Sequence, residues 1–468
     1  MPDSPAPVDS IRRPLLLLAA AGVGIRALFL LLEPATQPIA DERTWTNWAV
    51  EVLLSDRVRL DPMRTNMIFY PPGYPYFIAL SYAPFGTLTA VKWAQILVSA
   101  ALIPAVGRVG ALVHGARAGV VTAAVVAFYP DLVWFSVHFW SETLFLTLLW
   151  WAFERLLAAD RAGSARLAGL AGLLWGLSIL TRETALYFAP LAAAWLAWRP
   201  RVGGGVRRGA TFLVVALLVV APWTWRNWER FPGTLVPVST AGGLNLWQAN
   251  AGIPRYRIYE LYDAVEGGRV EQYRYARGMG LEAIRARQPT WIFEKLRSEM
   301  PLFWDTDVQA IIHVQRGGYG PPLPLAAFGA ALVLTIPYLV VLGFFVLGLV
   351  RWRFDRAALL LLAYLACHNF LHVVTHGFAR YRLPVMPVVF VIAAGAFVAW
   401  RSGALELTPR RRAAAWALAV VFALMLAPAL LSQASHPAFD LGRPLTPAEP
   451  PPRVRGAHVT PITLPPAT

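Results

Sequence analysis

Acidic residues stand at two places where the surrounding sequence is apolar, and they are candidates for acid–base chemistry. Asp41 and Glu42 are adjacent and precede two tryptophans, and Glu142 lies at the start of a long apolar stretch. A carboxyl group removed from water binds a proton more readily, which suits a general base, and an ionisable residue inside the hydrocarbon boundary is a functional candidate. We therefore predict Asp41, Glu42 and Glu142 as catalytic residues. The alternatives are solvated loop charges at the first place and, for Glu142, a buried hydrogen bond with His138 or Ser141.

Three arginines are candidates for binding a phosphate. Arg182 and Arg380 lie at the ends of apolar stretches, on the side where arginine is disfavoured, and Arg226 is a weaker third candidate. The planar guanidinium group matches a pair of phosphate oxygens, and a lipid phosphate would lie at the same depth in a membrane. We predict a phosphate site formed by these arginines and by Tyr381, which follows Arg380. The alternatives are pairing of Arg182 with Glu183 and, for Arg380, a side chain that extends to the membrane surface.

Histidines recur at every fourth position of one predicted helix, at His368, His372 and His376. This spacing can bind a metal, but the helix ends near the same membrane face, so a polar stripe facing a cavity is the preferred interpretation. We predict that no cofactor is required and leave a divalent metal ion as the alternative. The sequence contains no Walker loop, dinucleotide-binding fingerprint, zincin motif or nucleophile elbow, so a nucleotide-sugar or ATP site is not supported.

The composition shows that membrane helices must position these residues. Of 468 residues, 57% are hydrophobic and 15% are charged, whereas about a quarter are charged in soluble domains. Soluble globular, disordered and fibrous classes are therefore excluded. A net charge of +15 with so few charges in total indicates a membrane partner and no nucleic acid. The single cysteine, Cys367, excludes a disulfide framework and a thiolate metal site.

Apolar stretches long enough to cross about 30 Å of hydrocarbon recur along the chain. We predict an all-α bundle of about eleven membrane helices, with up to two more, at 14–32, 88–112, 118–136, 139–158, 165–181, 184–199, 209–226, 323–350, 357–376, 381–400 and 413–432.

The arginines set the predicted orientation. With the N-terminus in the cytoplasm, every connection on the inner side is basic. Two long segments, 33–87 and 229–320, then lie outside, and helical spacing of apolar and charged residues predicts amphipathic helices in the second. Residues 436–468 are rich in proline and are predicted to be disordered, which leaves 1–435 as one transmembrane domain. We expect a multi-pass protein of the cytoplasmic (inner) membrane, with its active site on the periplasmic or extracellular side.

Several motifs resemble, in order along the chain, those of the GT-C membrane glycosyltransferases, the group that includes the protein O-mannosyltransferases and the aminoarabinose transferases. Each motif alone is weak, but their order over nearly the whole chain is specific. At Tyr70 the sequence departs from the aminoarabinose transferases, which have a basic residue there. The motifs are Asp41-Glu42, Tyr70-Pro71-Pro72-Gly73-Tyr74-Pro75, Ser141-Glu142, Leu180-Thr181-Arg182, residues 222–227 with 239–250, and Arg380-Tyr381-Arg382-Leu383-Pro384-Val385-Met386-Pro387.

The resemblance implies an inverting transfer of a sugar from a polyprenyl-phosphate donor to an acceptor protein, lipid or polysaccharide at the outer face. Asp41 would take the proton of the acceptor hydroxyl, and Arg182 and Arg380 would hold the donor phosphate while the lipid tail leaves between helices. The expected partners are this donor, the acceptor and membrane lipid. The alternatives are a transporter or flippase for lipid-linked glycans, or a ligase that moves a preassembled glycan. A transporter would place its charges near the bilayer midplane, whereas the unusual charges here gather at one boundary.

Overall fold

The computed structural model describes residues 8–33, 38, 41–54, 68–198, 203–231, 233–306, 309–315, 319, 324–352 and 355–434. Within these ranges all regular structure is helical. Two short 3-10 helices, Val8–Ile11 and Ala379–Val385, accompany nineteen α-helices: α1 (Arg12–Leu32), α2 (Asp41–Leu54), α3 (Gly73–Tyr82), α4 (Leu88–His114), α5 (Ala116–Phe128), α6 (Pro130–Phe135), α7 (Glu142–Ala162), α8 (Ala165–Thr181), α9 (Thr184–Ala197), α10 (Gly205–Arg230), α11 (Ala241–Asn250), α12 (Arg255–Asp263), α13 (Arg269–Ala286), α14 (Trp291–Trp304), α15 (Gln309–Gln315), α16 (Pro324–Arg351), α17 (Arg356–Thr375), α18 (Met386–Arg401) and α19 (Pro409–Ala434).

In the described part of the chain, seven helical segments are long and apolar enough to cross a membrane. They are α1, α4, α10, α17, Phe328–Arg351 of α16, Ala379–Arg401 and Pro409–Pro428 of α19, and α5, α8 and α9 are shorter apolar helices. Every span predicted from the sequence overlaps one or two helices of the structure. The all-α membrane fold is thereby confirmed, and the number of membrane crossings stays a prediction.

The predicted span 118–136 is divided between two helices. α5 ends at Phe128, α6 begins at Pro130, and Tyr129 between them is extended, with φ −66° and ψ 120°. A residue before proline is driven out of the α region, and Pro130 has no N–H to continue the helical hydrogen bonds. The chain therefore bends before α6.

Helix α18 lies at the centre of the bundle. In the segment Ala379–Arg401, which contains α18, 83% of the most apolar 18 residues are buried. The neighbours of α18 include α4, α5 and α16. Close packing around it depends on small residues: a Cβ on Gly348 of α16 would lie 2.7 Å from the carbonyl oxygen of Ile392 of α18. Such close approach is a main source of helix association in lipid. The turn 379–385 is therefore anchored at one end of the most buried helix.

The two long connections are also helical. The first, between α1 and α4, contains α2 and α3, and the second, between α10 and α16, contains α11 to α15. α13 and α14 confirm the predicted amphipathic helices. A hydrophobic cluster that includes Leu244, Trp247 and Tyr262 packs against Phe69, which joins the two connections. The Pro-rich tail at 436–468 lies outside the described residues.

Candidate active site

The site is built on residues 138–142, which join α6 to α7 and are called the connector here. The Tyr74 hydroxyl donates to Gln95 Oε1 at 2.7 Å, and Gln95 Nε2 donates to the carbonyl oxygens of Phe135 and His138 at 2.9 and 2.5 Å. Gln95 is buried within α4, where an unmade hydrogen bond would be costly. These bonds therefore fix the path of the connector relative to α3 and α4.

A first ion pair joins the start of α2 to the turn before α18. Arg380 Nη1 lies 2.9 Å from Asp41 Oδ2, and the side chains are 16% and 41% exposed respectively. The guanidinium carbon lies 4.6 Å from the ring centre of Trp140 in the connector. The arginine is thus held between a carboxylate and an aromatic face, while the carboxylate remains open to solvent.

A second ion pair joins α7 to the end of α8. Arg182 Nη1 lies 2.6 Å from Glu142 Oε1 and donates to Ser141 Oγ at 3.1 Å. The Glu142 side chain is only 1% exposed, and a buried carboxylate of this kind needs its partner. Glu142 is therefore placed to hold the Arg182 guanidinium.

The alternative pairing of Arg182 with its neighbour Glu183 does not occur. Glu183 accepts a hydrogen bond from Ser239 Oγ at 2.7 Å. Burial raises the pKa of Glu183 to about 6, although the hydrogen bonds from Ser239 act in the opposite direction. Glu183 thus ties the α8–α9 turn to the segment that leads into α11.

Tyr381 lies between the two ion pairs. Its ring centre is 5.8 Å from Cζ of Arg182 and 5.1 Å from Cζ of Arg380, and its ring stacks on His372 at 4.6 Å. The structure thus brings together five of the residues predicted from the sequence, called the charged cluster below: Asp41, Glu142, Arg182, Arg380 and Tyr381.

Glu42, also predicted as catalytic, contacts the connector. Its side chain is buried, and Oε1 accepts the backbone N–H of Phe139 in the connector at 2.9 Å. Neighbouring residues of a helix point about 100° apart, which is why Asp41 is exposed and Glu42 is enclosed. Glu42 therefore supports the connector in this structure.

Glu33, which the sequence analysis missed, contacts the start of the connector. His138 Nε2 lies 2.8 Å from Glu33 Oε1, and Glu33 also contacts Lys92 Nζ at 3.3 Å. Burial alone would raise the pKa of Glu33, but the His138 ring and the Lys92 ammonium together lower it below its ordinary value. Glu33 directly follows the first apolar helix, and an acidic residue at that position is the sequence feature that could have identified it.

Arg226 lies outside the charged cluster, in a groove between α3, α8 and α10. Its guanidinium stacks over Trp223 at 4.5 Å and donates to Asn227 Oδ1 at 2.9 Å. The groove has a volume of about 480 Å³ and is otherwise mostly apolar; Leu180 forms part of its wall. Leu180 precedes Arg182 by two residues, so the groove runs along the helix end that carries the second ion pair.

The three spaced histidines have different partners. His368 Nε2 donates to the Tyr381 carbonyl at 2.9 Å, and His372 Nδ1 donates to the His376 carbonyl at 3.4 Å. His376 Nδ1 lies 3.3 Å from Glu299 Oε2. Across the described ranges no group of three or more histidine, cysteine or acidic residues could hold a metal ion. His368 and His372 instead support the turn that carries Arg380 and Tyr381.

Glu299 of α14 also supports this turn and was missed. Its carboxylate accepts the backbone N–H of Gly377 at 2.7 Å and contacts Lys295 Nζ at 2.8 Å and His376. Lys295 also donates to the Ala249 carbonyl at 2.7 Å, which links α11. The i,i+4 spacing of Lys295 and Glu299 was a signal for the pair, but not for its contact with the turn before Arg380.

The contacts of Glu299 predict that the stability of the folded protein depends on pH. Burial raises the pKa of Glu299, but the hydrogen bonds from His376, Lys295 and the Gly377 N–H outweigh it and lower the pKa from 4.5 to about 2. Because this pKa is lower in the folded than in the unfolded chain, the stabilisation is present above the unfolded pKa and is lost as the pH falls through the folded pKa. We expect Glu299→Gln to lower the unfolding temperature by roughly 5 °C near pH 5.5, and the gap to fall to about half by pH 3.

Thermal unfolding of purified protein in detergent measures this gap. Glu294→Gln is the matched control, because Glu294 lies on the same helix in an exposed contact with Arg287 at 3.8 Å. A gap for Glu299→Gln that stays constant with pH, or that the Glu294 variant shares, would contradict the assignment.

Comparison with known proteins agrees with this architecture. The sequence profile of the dolichyl-phosphate-mannose-protein mannosyltransferase family matches residues 70–225, a range that includes the Pro-Pro turn, the connector and Arg182. No curated protein matches the chain by sequence.

Solved structures resemble the chain over most of its length. The archaeal oligosaccharyltransferase AglB from Archaeoglobus fulgidus, in complex with an inhibitory peptide and a dolichol-phosphate, is similar with a TM-score of 0.52 and 15% identity over 92% of this chain and 56% of that one. Its apo form gives 0.51 and 16% over 92% and 55%. ArnT from Cupriavidus metallidurans, bound to undecaprenyl phosphate, gives 0.39 and 16% over 84% and 81%.

The chain thus spans little more than half the length of the oligosaccharyltransferase whose fold it shares. The profile match and the shared fold confirm the resemblance to GT-C membrane glycosyltransferases, and the apolar helices make the chain a multi-pass membrane protein.

Proposed function

We propose that the chain is an inverting glycosyltransferase, which moves a sugar from a polyprenyl-phosphate-linked donor to an acceptor protein, lipid or polysaccharide at the outer face of the inner membrane. The observation that carries this proposal is the position of Arg380. It contacts the exposed Asp41 carboxylate and, across Tyr381, lies beside the second guanidinium, Arg182. One cluster therefore combines a solvent-facing base with two cations that suit a phosphate.

Arg380 has a hydrogen-bond donor to spare for a phosphate oxygen. Its Nε is buried and has no hydrogen-bond acceptor among the described residues, a condition that is costly unless a ligand satisfies it. The donor phosphodiester, singly charged like a carboxylate, has two free oxygens that match the planar guanidinium group and would compete with Asp41 for it. Donor binding would then free the Asp41 carboxylate for the acceptor.

In the proposed reaction, the acceptor oxygen bonds to the anomeric carbon of the sugar while the bond from that carbon to the phosphate oxygen breaks. The proton of the acceptor passes to Asp41, and the electron pair leaves with the polyprenyl phosphate, whose charge Arg182 and Arg380 stabilise. A single displacement from the face opposite the phosphate inverts the configuration. Glu142 serves as a positioning residue for Arg182.

The groove beside Arg226 is proposed to take the polyprenyl chain. Its volume of about 480 Å³ falls within the ordinary range of ligand pockets, about 300–1,000 Å³. α3 lies directly against the end of α8 here, since a Cβ on Gly73 would be 2.9 Å from the Leu180 carbonyl oxygen. An isoprenoid in this groove would direct its phosphate toward the helix end that carries Arg182.

The position of the cluster supports transfer over transport. Asp41 begins α2, Glu142 begins α7, Arg182 follows the end of α8, and Arg380 lies in the turn before α18. The charges thus gather at helix ends, whereas a transporter would need them along broken helices near the midplane. The basic connections lie at the opposite ends of the same helices, and the positive-inside rule then assigns the cluster to the outer side.

A donor assay tests the proposal. Purified full-length protein in detergent is incubated with undecaprenyl-phosphate-linked monosaccharides and, separately, with the corresponding UDP-sugars, and heat-denatured protein serves as the blank. We expect water to take the place of the absent acceptor, so that a lipid-linked donor is slowly hydrolysed to free sugar and undecaprenyl phosphate, both measured by mass spectrometry, with no consumption of UDP-sugars. Transfer from a UDP-sugar, or movement of intact lipid-linked sugar across proteoliposomes without cleavage, would contradict the proposal.

A further inference from the structure

A groove at the other end of the bundle has no role in the proposed reaction. It lies between α16 and α19, has a volume of about 520 Å³, and is lined by Leu339, Gly343 and Leu347 on one side and by Arg412, Ala419 and Leu426 on the other. Helix α18 begins beside Arg380 and ends at Arg401, shortly before α19 begins. Arg412, in the first turn of α19, is therefore near the end of the bundle opposite the charged cluster.

The groove exists because small residues face each other across it. Gly343 has no side chain, and a Cβ placed there would meet no heavy atom within 4 Å. Ala415, Ala419 and Ala423 continue the groove along α19 at the spacing of one helix face. The two helices thus leave an apolar space where larger side chains would have filled the interface.

The positive charge of the groove is concentrated at one end. Arg412 lies at one end, next to Arg410 and Arg411, and all three side chains are exposed. Trp416, also in the lining, is 69% exposed, as expected for an aromatic residue at a membrane–water boundary. An elongated molecule with an apolar chain and an anionic head group complements this arrangement.

The dimensions of the groove suit a lipid chain. From Arg412 to Leu426 the groove follows α19 for roughly 21 Å at the helical rise, and its volume is about 520 Å³. One acyl chain spans about 15 Å, half of the hydrocarbon core, so it fits in length.

We propose that this groove binds an anionic phospholipid of the leaflet opposite the active site, with one acyl chain between α16 and α19 and its phosphate at Arg412. The site is independent of the proposed transfer reaction. Bound lipid would fill the space between these two helices. In α19 only 11% of the most apolar 18 residues are buried in the protein.

Native mass spectrometry of the full chain in detergent, titrated with phosphatidylglycerol, tests the proposal. Gly343→Leu would fill the groove, and we expect phosphatidylglycerol to bind about tenfold more weakly, a change of 1.4 kcal/mol. Gly329→Leu is the matched control, because a Cβ at Gly329 of the same helix also meets nothing within 4 Å, and this residue lies outside the groove. Equal affinity of the two variants would overturn the proposed position of the acyl chain.

The head-group contact is tested separately at exposed residues, whose replacement leaves the fold intact. Arg412→Gln is expected to weaken phosphatidylglycerol binding about tenfold, while Arg410→Gln, in the same turn but outside the lining, is expected to change it less than about twofold. Wild-type protein should bind diacylglycerol of the same chain length about tenfold more weakly than phosphatidylglycerol. Equal binding by the two arginine variants, or of the two lipids, would overturn the proposed phosphate contact.

Discussion

Asparagine at position 41 is expected to lower kcat for sugar transfer by about a hundredfold to ten-thousandfold, the range lost when a general base is removed. Asparagine keeps the size of the side chain and an oxygen that can accept a hydrogen bond from Arg380, so the 2.9 Å contact with the guanidinium can persist. The KM for the donor should therefore change only a few-fold. Initial rates at a series of donor concentrations separate the two parameters.

Asp263→Asn provides the control for Asp41→Asn. Asp263 is an exposed acidic residue at the end of α12, outside the charged cluster, and its replacement should leave both kcat and KM unchanged. Unfolding temperatures of the two variants show whether the fold is intact. An Asp41→Asn protein with wild-type kcat would eliminate Asp41 as the base, and a loss confined to donor affinity would make it a binding residue.

Glutamine at position 380 should lower kcat/KM for the lipid-linked donor by about a hundredfold to a thousandfold, the loss typical when a group that stabilises developing charge is removed. Arg380 contacts Asp41, stacks on Trp140 and presents an unpartnered Nε. Removing it should therefore weaken donor binding and slow turnover together. Arg380→Lys keeps the charge but not the planar fork, so its activity should lie between those of the wild type and Arg380→Gln.

Arg257→Gln is the matched control for Arg380→Gln. Arg257 forms an ion pair with Glu260 at 2.8 Å in which both side chains are more than half exposed, and an exposed pair of this kind contributes little. Binding of undecaprenyl phosphate to each variant, measured alongside the kinetics, separates donor affinity from turnover. If Arg380→Gln bound undecaprenyl phosphate as tightly as Arg257→Gln, Arg380 would not be a phosphate ligand.

The sequence predicts the helices of this protein well because one physical rule dominates them. A backbone that crosses hydrocarbon must satisfy its own hydrogen bonds, so a long apolar stretch implies a helix. Charged residues that interrupt this pattern are costly and therefore stand out. Asp41, Glu142, Arg182 and Arg380 were found in this way, and the structure brings them together.

The pairing of these residues could not be read from the sequence. Glu183 is the nearest acidic neighbour of Arg182 along the chain, but the actual partner, Glu142, is forty residues earlier on another helix. Which face of α2 is buried, and hence the difference between Asp41 and Glu42, depends on what α2 packs against. Contacts over such distances are decided by packing of the whole bundle, which periodicity does not contain.

Supporting residues were missed for a related reason. Gln95 is one polar residue in a long apolar helix, and its hydrogen bonds reach residues 40 and 43 positions later. Glu299 acts on a turn 78 positions away. Neither residue type nor local spacing distinguishes such residues from ordinary polar ones.

The connector makes the number of residues as important as their identity in one short stretch. His138 contacts the end of α1, the backbone N–H of Phe139 receives Glu42, the ring of Trp140 lies beneath Arg380, and Glu142 holds Arg182. At Phe139 the contact uses the main chain, while the side chain packs in a buried cluster with Trp45 and Tyr74. Inserting or deleting one residue would shift the later residues of the connector by one position, so each would lie where its neighbour's contact is made. Any redesign of this stretch should therefore leave the number of residues unchanged.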